Sequence, residues 1–503
     1  MSVLRRVVSV PVAVAAATGF IAVAGFVPTA SAEPCSSPEA QSDPPPGAPT
    51  PDPAMMPLSP GRQPPTGQRP RGANESAPLP KLGPLIASFI NPNASKYAAP
   101  LQHQAGVAPP APTPPAGGAQ PVPNAAPANP HPNAAPAPAP APVPQGPGVA
   151  PDAMDAVGGS NTSLVDWVTG PNGPNKTLER FGISGTDLGI IWDNGDPTAR
   201  QALMAFGDTY GFCRTNGHQW RYNTLFRSGS QDLSHGLDVQ PGTGNRYSGS
   251  PMQQTGFAKQ IIPSIKWASE ETGVIPTSGV SVGKTQYLNF MSIRHWGRDG
   301  EWSTNYSAIA RSNDNGQTWG IYPGTVRTSS ADVGVAHARY VPGNENFQMG
   351  AFVKSNDGYL YSFGTPSGRG GSAYVSRVPQ NAVPDLSKYQ YWNGDGAGSW
   401  VPNNPGAATP VIPGPVAEMS AQYNTYLKKY LVMYTNGAND VVARTAPSPQ
   451  GPWTPEQLLV SNFQMPGGVY APMMHPWSTG KDVYFNLSLW SAYNVMLMHT
   501  VLQ

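Results

Sequence analysis

Charged residues and cysteines are scarce in this chain of 503 residues. Charged side chains make up 12% of the sequence and the formal net charge is +1. The composition therefore indicates neither a nucleic-acid partner nor electrostatic attachment to a membrane. Two cysteines are too few for a Cys–His metal cluster, and the sequence has no H-E-x-x-H, Gly-rich phosphate or G-x-S-x-G motif. We predict no metal and no cofactor.

The two cysteines are Cys35 and Cys213. In an oxidising compartment they could form a disulfide. Cys213 could equally be a small buried apolar residue, since free cysteine is often buried. The sequence leaves both alternatives open.

The N-terminus has the pattern of a secretory signal peptide. Arg5 and Arg6 precede an apolar stretch over residues 7–27, and Ala30-Ser31-Ala32 matches a cleavage site. We predict a signal peptide at residues 1–32, and hence a protein that is secreted or held in the cell envelope. The alternative is an uncleaved membrane anchor, although prolines interrupt the stretch. No later segment could span a bilayer, so no membrane contact is predicted after cleavage.

Residues 33–157 are rich in proline and alanine and poor in aromatic residues. Such a segment cannot bury a core, and we expect an extended, partly polyproline II spacer. An apolar island at residues 82–90 interrupts it. That island could be a short docking motif or an apolar patch within a disordered tail.

Residues 158–503 are predicted to form an all-β domain. Short apolar runs alternate with turn clusters rich in Asn, Asp and Gly, and no long amphipathic helix is evident. Residues 312–319 fit the Asp-box pattern S-x-D-x-G-x-T-W, with weaker echoes at residues 391–400 and 443–453. This repetition predicts a β-propeller in which Asp314 is a structural turn residue, and about 345 residues at roughly 60–70 per blade predict five blades.

Two aspartates flank one predicted hairpin. Asp187 lies at the start of a first apolar run, Asp208 follows a second one, and a turn cluster at residues 193–197 separates the runs. If the runs pair antiparallel, both carboxylates lie at the open end of the hairpin. Two adjacent carboxylates are the minimum equipment for glycoside hydrolysis. The structural alternative is that both aspartates make turn or strand-cap hydrogen bonds.

The segment after this hairpin adds polar candidates. Arg221 and Asn223 alternate on one face of a predicted strand, and Tyr222 faces the other way. Arg221 and Asn223 could position a sugar hydroxyl or pair with one of the aspartates. An ordinary salt bridge at the rim is the alternative.

Three further candidates for substrate binding lie later in the chain. Glu418 stands between apolar residues at the start of a later blade, with Gln422 close behind it. Glu418 could be a third acid in the site or a buried glutamate paired with an arginine. His475 could contact substrate or be a structural histidine.

These residues together resemble a known family, the secreted actinobacterial domain assigned as endo-D-arabinofuranosidase, or endo-D-arabinanase. The resemblance covers about residues 178–503. It rests on the following segments of the sequence: Thr186-Asp187-Leu188-Gly189, Phe206-Gly207-Asp208-Thr209, Arg221 with Asn223, Asn305-Tyr306-Ser307, the Asp-box, Phe363-Gly364-Thr365-Pro366 with Arg369, Glu418-Met419-Ser420, and residues 485–490 with Tyr493.

The resemblance implies a five-bladed propeller that cleaves internal α-D-arabinofuranosyl linkages of mycobacterial arabinogalactan and lipoarabinomannan. Asp187 and Asp208 match the two essential aspartates of the family. We expect a retaining reaction with Asp187 as nucleophile and Asp208 as acid/base, although inversion and the opposite roles stay open. The expected partner is cell-wall arabinan, and no protein partner is predicted.

Two other functions are compatible with the same sequence. A non-catalytic, carbohydrate-binding propeller needs aromatic platforms but no pair of acids. The second alternative is a propeller hydrolase with another specificity, such as an L-arabinanase or a relative of sialidases. Sialidase chemistry would require an arginine cluster for the carboxylate of the substrate.

Overall fold

The computed structural model describes residues 34–35, 37–45, 47, 157–297, 300–463, 465 and 467–503. The predicted signal peptide and the apolar island at residues 82–90 lie outside the described residues, as does most of the predicted spacer. Among the described residues, none of the helices has the length and apolar character needed to cross a bilayer.

From residue 157 onward the chain forms a five-bladed β-propeller, which confirms the predicted fold. Its strands, in chain order, are β1 (Val157–Trp167), β2 (Ile190–Asp193), β3 (Ala202–Phe206), β4 (Thr224–Ser228), β5 (Met252–Gln254), β6 (Phe257–Ala258), β7 (Gly273–Val282), β8 (Thr285–Trp296), β9 (Trp302–Ser312), β10 (Gly320–Ile321), β11 (Arg327–Thr328), β12 (Met349–Lys354), β13 (Tyr359–Thr365), β14 (Tyr374–Pro379), β15 (Gln390–Asn393), β16 (Ser399–Pro402), β17 (Ser420–Asn424), β18 (Lys429–Thr435), β19 (Val441–Ala446), β20 (Gln457–Val460), β21 (Val469–Met474), β22 (Asp482–Leu489) and β23 (Asn494–Leu502).

Each blade is one antiparallel sheet whose first strand lies nearest the axis. Blade 1 is β2-β3-β4, and blade 2 is β7-β8-β9-β10, with β11 also paired to β9. Blade 3 is β12 to β16, blade 4 is β17 to β20, and blade 5 is β21-β22-β23-β1. Strands β5 and β6 form a separate ribbon. The innermost strands β2, β7, β12, β17 and β21 contact one another around the axis.

Within the described ranges, helical structure is confined to short connections. Helix α1 spans Thr177–Phe181. The 3₁₀ turns are Asn216–Gln219, Leu233–His235, Pro323–Thr325, Asn344–Phe347, Gln380–Ala382, Leu386–Lys388 and Pro405–Ala407.

The first strand closes the propeller by joining the last blade. β1 pairs antiparallel with β23, and the register places Thr162 opposite Thr500. The hydroxyl groups of these two threonines lie 2.9 Å apart in a hydrogen bond. Closure of this kind leaves the ring of blades without a gap and ties both ends of the domain together.

The predicted hairpin is present in blade 1. β2 and β3 pair antiparallel, with Ile190 opposite Ala205, and every residue of β3 is buried. An isolated bridge between Gly185 and Tyr210 extends the pairing beyond the start of β2. The segments that carry Asp187 and Asp208 therefore meet at the open end of the hairpin, as predicted.

The Asp-box forms the turn between β9 and β10. Asp314 accepts hydrogen bonds from the Thr318 backbone nitrogen at 2.9 Å and from the Ser312 hydroxyl at 2.7 Å. The Trp319 indole donates to the Gly316 carbonyl oxygen at 3.1 Å and packs edge-on near Trp192. Asp314 is thus a turn residue, far down the chain from the paired aspartates.

The beginning of the predicted spacer packs on the propeller. A disulfide joins Cys35 to Cys213, and the Cys213 backbone nitrogen donates to the carbonyl oxygen of the fully buried Ala40 at 2.8 Å. Pro34 packs so closely on Gly185 that a Cβ atom at position 185 would lie 2.7 Å from the Pro34 Cβ. Of the two alternatives for the cysteines, the structure contains the disulfide.

Candidate functional site

Three carboxylates occupy equivalent places in three blades. Asp187 lies three residues before β2, Glu271 lies two residues before β7, and Glu418 lies two residues before β17. Because the innermost strands all run in the same direction along the axis, these residues lie at one face of the propeller. We call this the upper face; all three side chains there are at least nine-tenths buried.

A tight turn and a tyrosine hold Asp187. Leu188 has a φ of +72°, and its backbone nitrogen donates to the Ser488 hydroxyl at 2.9 Å. The hydroxyl group of Tyr470, on β21, donates to Oδ2 of Asp187 at 3.0 Å. Blades 1 and 5 thus fix the orientation of this carboxylate together.

A tryptophan from the following loop contacts Asp208. The Trp220 indole nitrogen donates to Oδ1 of Asp208 at 3.2 Å. Trp220 packs edge-on against Tyr222, with ring centroids 4.5 Å apart. The loop between Asp208 and Trp220 contains Cys213, so the disulfide anchors the loop that supplies this donor.

The two aspartates share one buried environment. The hydroxyl groups of Thr186 and Thr209, the neighbours of the two aspartates, lie 2.8 Å apart in a hydrogen bond. Burial, together with the charges of Asp187 and Asp208, raises the pKa of the fully buried Tyr493 well above its ordinary value. Both carboxylates therefore lie close enough to Tyr493 to act on it.

Glu418 is paired with an arginine, one of the two alternatives predicted for it. Nη2 of Arg369 lies 2.7 Å from Oε1 of Glu418, and both side chains are nearly buried. The Arg369 guanidinium also lies over the rings of Tyr470, at 5.1 Å, and Trp302, at 5.9 Å. Nε of Arg369 and Oε2 of Glu418 are buried without a hydrogen-bond partner among the described residues. Because Tyr470 also contacts Asp187, the ion pair borders the aspartates.

Arg221 and Asn223 are close to the aspartates in sequence, but their side chains bind backbone groups. Arg221 donates to the carbonyl oxygens of Ala258, at 2.8 Å, and Gly182. Asn223 donates to the Ile262 and Val274 carbonyl oxygens at 3.0 and 2.8 Å. The predicted alternation is present, but Trp220 and Tyr222 lie on the side of Asp208 instead.

His475 and Gln422 lie away from the aspartates. His475 follows the end of β21 and therefore lies toward the opposite, lower face. Its burial lowers the pKa of His475 to about 3, and the ring nitrogen Nδ1 accepts from the Trp477 backbone nitrogen at 3.4 Å. Gln422, in the middle of β17, donates to the Ser478 carbonyl oxygen at 3.1 Å. The structure brings neither side chain to the pair.

Four residues that bear on the upper face were not predicted: Glu271, Tyr470, Trp220 and Tyr222. The position of Glu271 in the sequence could have revealed it. Like Asp187 and Glu418, it lies just before an apolar run that forms an innermost strand. Tyr470 had no such signal, since 283 residues separate it from its partner Asp187.

Potential metal ligands converge at one point in the described part of the chain. Ligand atoms of Cys35, Cys213 and His218 lie within 4.8 Å of one another. Both cysteines belong to the disulfide, so neither offers a thiolate there.

The model of the domain of unknown function DUF4185 matches residues 172–499, most of the propeller. The chain belongs to the DUF4185 family. This match confirms the part of the prediction that concerns the family, namely that the chain contains a domain first described without a function. The specificity for D-arabinan stays a prediction.

Two fungal proteins are relatives of this DUF4185 chain. Notoamide biosynthesis cluster protein J' of Aspergillus versicolor is 26% identical over 338 residues, which is 62% of this chain and 83% of that protein. Notoamide biosynthesis cluster protein J of Aspergillus sp. (strain MF297-2) is 26% identical over 334 residues, covering 62% and 81%.

Solved glycosidase structures are similar to the DUF4185 chain at low identity. The α-L-arabinofuranosidase of Podospora anserina is 12% identical with a TM-score of 0.35, covering 70% of this chain and 98% of that one. A glycosyl hydrolase of Bacteroides ovatus is 12% identical with a TM-score of 0.37, covering 68% and 94%. The arabinanase of Bacillus subtilis is 12% identical with a TM-score of 0.34, covering 62% and 95%. These values assign no activity to the chain.

Proposed function

We propose that this DUF4185 protein is an endo-acting glycoside hydrolase and that Asp187 and Asp208 are its catalytic pair. The observation that carries the proposal is the meeting of these two buried carboxylates at the upper face, where Tyr470 donates to Asp187 and Trp220 donates to Asp208. Paired carboxylates in a desolvated cleft are the equipment with which most glycosidases break acetal bonds. The segments around both residues are also those that resemble endo-D-arabinanase.

In the proposed reaction Asp187 attacks the anomeric carbon while Asp208 gives its proton to the departing glycosidic oxygen. The glycosidic C–O bond breaks and a glycosyl ester forms on Asp187. Asp208 then takes a proton from water, which hydrolyses the ester and restores both carboxyl groups. The Tyr470 hydroxyl keeps Asp187 in one orientation, as an attacking group requires.

The ion pair of Arg369 and Glu418 is proposed to bind sugar hydroxyls beside Asp187. Nε of Arg369 can donate and Oε2 of Glu418 can accept, and neither atom has a hydrogen-bond partner in the part of the chain that the structure describes. A hydroxyl group is both donor and acceptor, so it can satisfy these two atoms together. The buried rings of Trp302 and Tyr470 pack against the guanidinium of Arg369 and hold the pair in place.

The proposed substrate is the D-arabinan of the mycobacterial envelope, and the proposed location is outside the cytoplasm. The substrate rests on the resemblance of the two aspartate motifs. The location is supported by the signal-peptide pattern and by the disulfide, because disulfides persist in oxidising compartments. The non-catalytic propeller and the hydrolase of other specificity become outcomes of the test.

A polysaccharide panel separates these proposals. Purified protein is incubated with mycobacterial D-arabinan, plant L-arabinan and xylan, and the products are sized by chromatography. We expect oligosaccharides from D-arabinan alone. Products from another polymer would overturn the specificity, and D-arabinan binding without any chain cleavage would favour the non-catalytic propeller.

A further inference from the structure

The two segments that carry the aspartates keep the register of the hairpin below them. An isolated bridge joins Gly185 to Tyr210, and the first pair of β2 and β3 follows five residues further along both segments. Because neither segment has an extra residue between these two pairings, Asp187 and Asp208 come level with each other. The separation of their carboxyl groups therefore depends on how this short stretch is held together.

The backbone ladder of the hairpin opens beside the aspartates. The Thr186 backbone nitrogen donates to the Tyr493 carbonyl oxygen, between β22 and β23, at 2.8 Å. The Thr209 backbone nitrogen donates to the Arg221 carbonyl oxygen, just before β4, at 2.9 Å. Both nitrogens therefore bind partners outside the pairing of the two aspartate segments.

A hydrogen bond between side chains joins the segments instead. The Oγ1 atoms of Thr186 and Thr209 lie 2.8 Å apart, and Oγ1 of Thr209 donates to the Gly207 carbonyl oxygen at 2.8 Å. A hydroxyl group has one proton, so Thr209 must accept from Thr186. Thr209 thus binds the residue before Asp187 and the residue before Asp208 with one oxygen atom.

Both threonine side chains are fully buried. Bulk water therefore does not replace a partner that either hydroxyl loses, and the local structure must shift or leave a polar group unpaired. The bond between Thr186 and Thr209 is for this reason a rigid link between the two aspartate segments.

We propose that Thr209 is a positioning residue that fixes the separation of Asp187 and Asp208 through its hydroxyl group. The inference rests on the proposed hydrolase function. The separation of two carboxyl groups decides which reaction a glycosidase can perform, and an error of about 1 Å can cost about a hundredfold in rate. Because Thr209 is buried behind the aspartates, its loss should lower kcat and leave KM unchanged.

The test compares T209V and T209S in the full chain. Valine keeps the shape of threonine without the hydroxyl group, whereas serine keeps the hydroxyl group. We expect kcat on D-arabinan to fall at least about tenfold in T209V at unchanged KM, and T209S to recover most of that loss. T186V removes only the donor to Thr209 and should also lower kcat, so it provides the test if T209V does not fold.

The matched control is T500V. The Thr500 side chain is also fully buried, and its hydroxyl accepts from the Thr162 hydroxyl at 2.9 Å between β1 and β23. T500V therefore removes a bond of the same kind away from the aspartates, and thermal stability should fall while kcat stays at the wild-type value. An equal loss of kcat in T500V, or wild-type kcat in T209V, overturns the inference.

A second readout needs no activity. Crystal structures of the wild type, T209V and T209S give the distance between the carboxyl carbons of Asp187 and Asp208. We expect this distance to change by more than about 0.5 Å in T209V, the tolerance of a preorganised site, and to stay unchanged in T209S. An unchanged distance in T209V overturns the inference alone. If the wild type cleaves no polysaccharide, the proposed function fails, and the distance still decides the inference.

Discussion

Gly207 lies against the carboxylate of Asp187. A Cβ atom at position 207 would lie 2.4 Å from Oδ1 of Asp187, and the Gly207 backbone nitrogen donates to the Asp187 carbonyl oxygen at 3.2 Å. The residue before one aspartate thus forms the wall beside the other. We predict that G207A displaces the Asp187 side chain and lowers kcat on arabinan at least tenfold, because sub-ångström errors in catalytic groups are costly.

The control for this variant is Gly320 in β10, where a Cβ atom would meet nothing within 4 Å. G320A should retain wild-type kcat and thermal stability. Full activity in G207A would mean that the position of Asp187 is not important for turnover.

Removing the Tyr470 hydroxyl should affect turnover more than folding. Y470F keeps the ring under Arg369 but deletes the donor to Asp187. We expect kcat to fall by about one to two orders of magnitude, while the free energy of unfolding falls by only about 1 kcal/mol. Steady-state kinetics and urea denaturation measure both. Y434F is the matched control, because Tyr434 donates to Glu456 in blade 4; an equal loss of kcat there would argue against a local effect.

The disulfide should stabilise the domain and the site together. It closes a long stretch of chain, since Cys35 and Cys213 are 178 residues apart. We predict that the double serine variant, C35S with C213S, loses about 2–5 kcal/mol of stability. Its kcat should also fall, because the 211–220 loop that holds Trp220 is released. A Tm equal to that of the wild type would show that the segment around Ala40 holds without the bond.

His475 should make the domain sensitive to mild acid. Burial, aided by Arg200 and opposed by Asp193, lowers the pKa of His475 to about 3, against an ordinary value of 6.5. Below pH 6.5 His475 is therefore protonated in the unfolded chain but stays neutral in the folded chain. The free energy of unfolding thus falls as the pH drops from about 6.5 toward 3. From pH 7 to pH 5 this residue alone should remove about 2 kcal/mol.

Urea denaturation at both pH values tests this pH dependence. H475Q should lose less stability than the wild type across that interval, and the exposed H235Q should behave like the wild type. An H475Q variant with an unchanged pH dependence would show that other groups cause the acid sensitivity.

Local sequence patterns were sufficient to predict the fold and the proximity of the two aspartates. The alternation of apolar runs with turns and the Asp-box around Asp314 predicted a propeller, and the length of the domain predicted five blades. The short hairpin placed Asp187 and Asp208 at one end. Both inferences depend on residues close in sequence, where strand pairing follows from turn geometry.

The rest of the site depends on contacts between blades. Tyr470 of blade 5 contacts Asp187 of blade 1, and Arg369 of blade 3 contacts Glu418 at the start of blade 4. The predicted segment 221–223 had the right alternation, but its orientation was set by the backbone carbonyl groups that Arg221 and Asn223 bind. The alternation of residues along a strand shows which side chains share a face, but it does not show which face meets these carbonyl groups.

The most direct test of the central proposal is the release of reducing ends from mycobacterial D-arabinan by wild type, D187N and D208N, with thermal unfolding measured in parallel. We predict that the wild type releases products and that the new reducing end first appears with the anomeric configuration of the substrate. Each folded variant should lose activity by at least about a thousandfold. Wild-type activity in both variants would falsify the assignment of Asp187 and Asp208 as the catalytic pair.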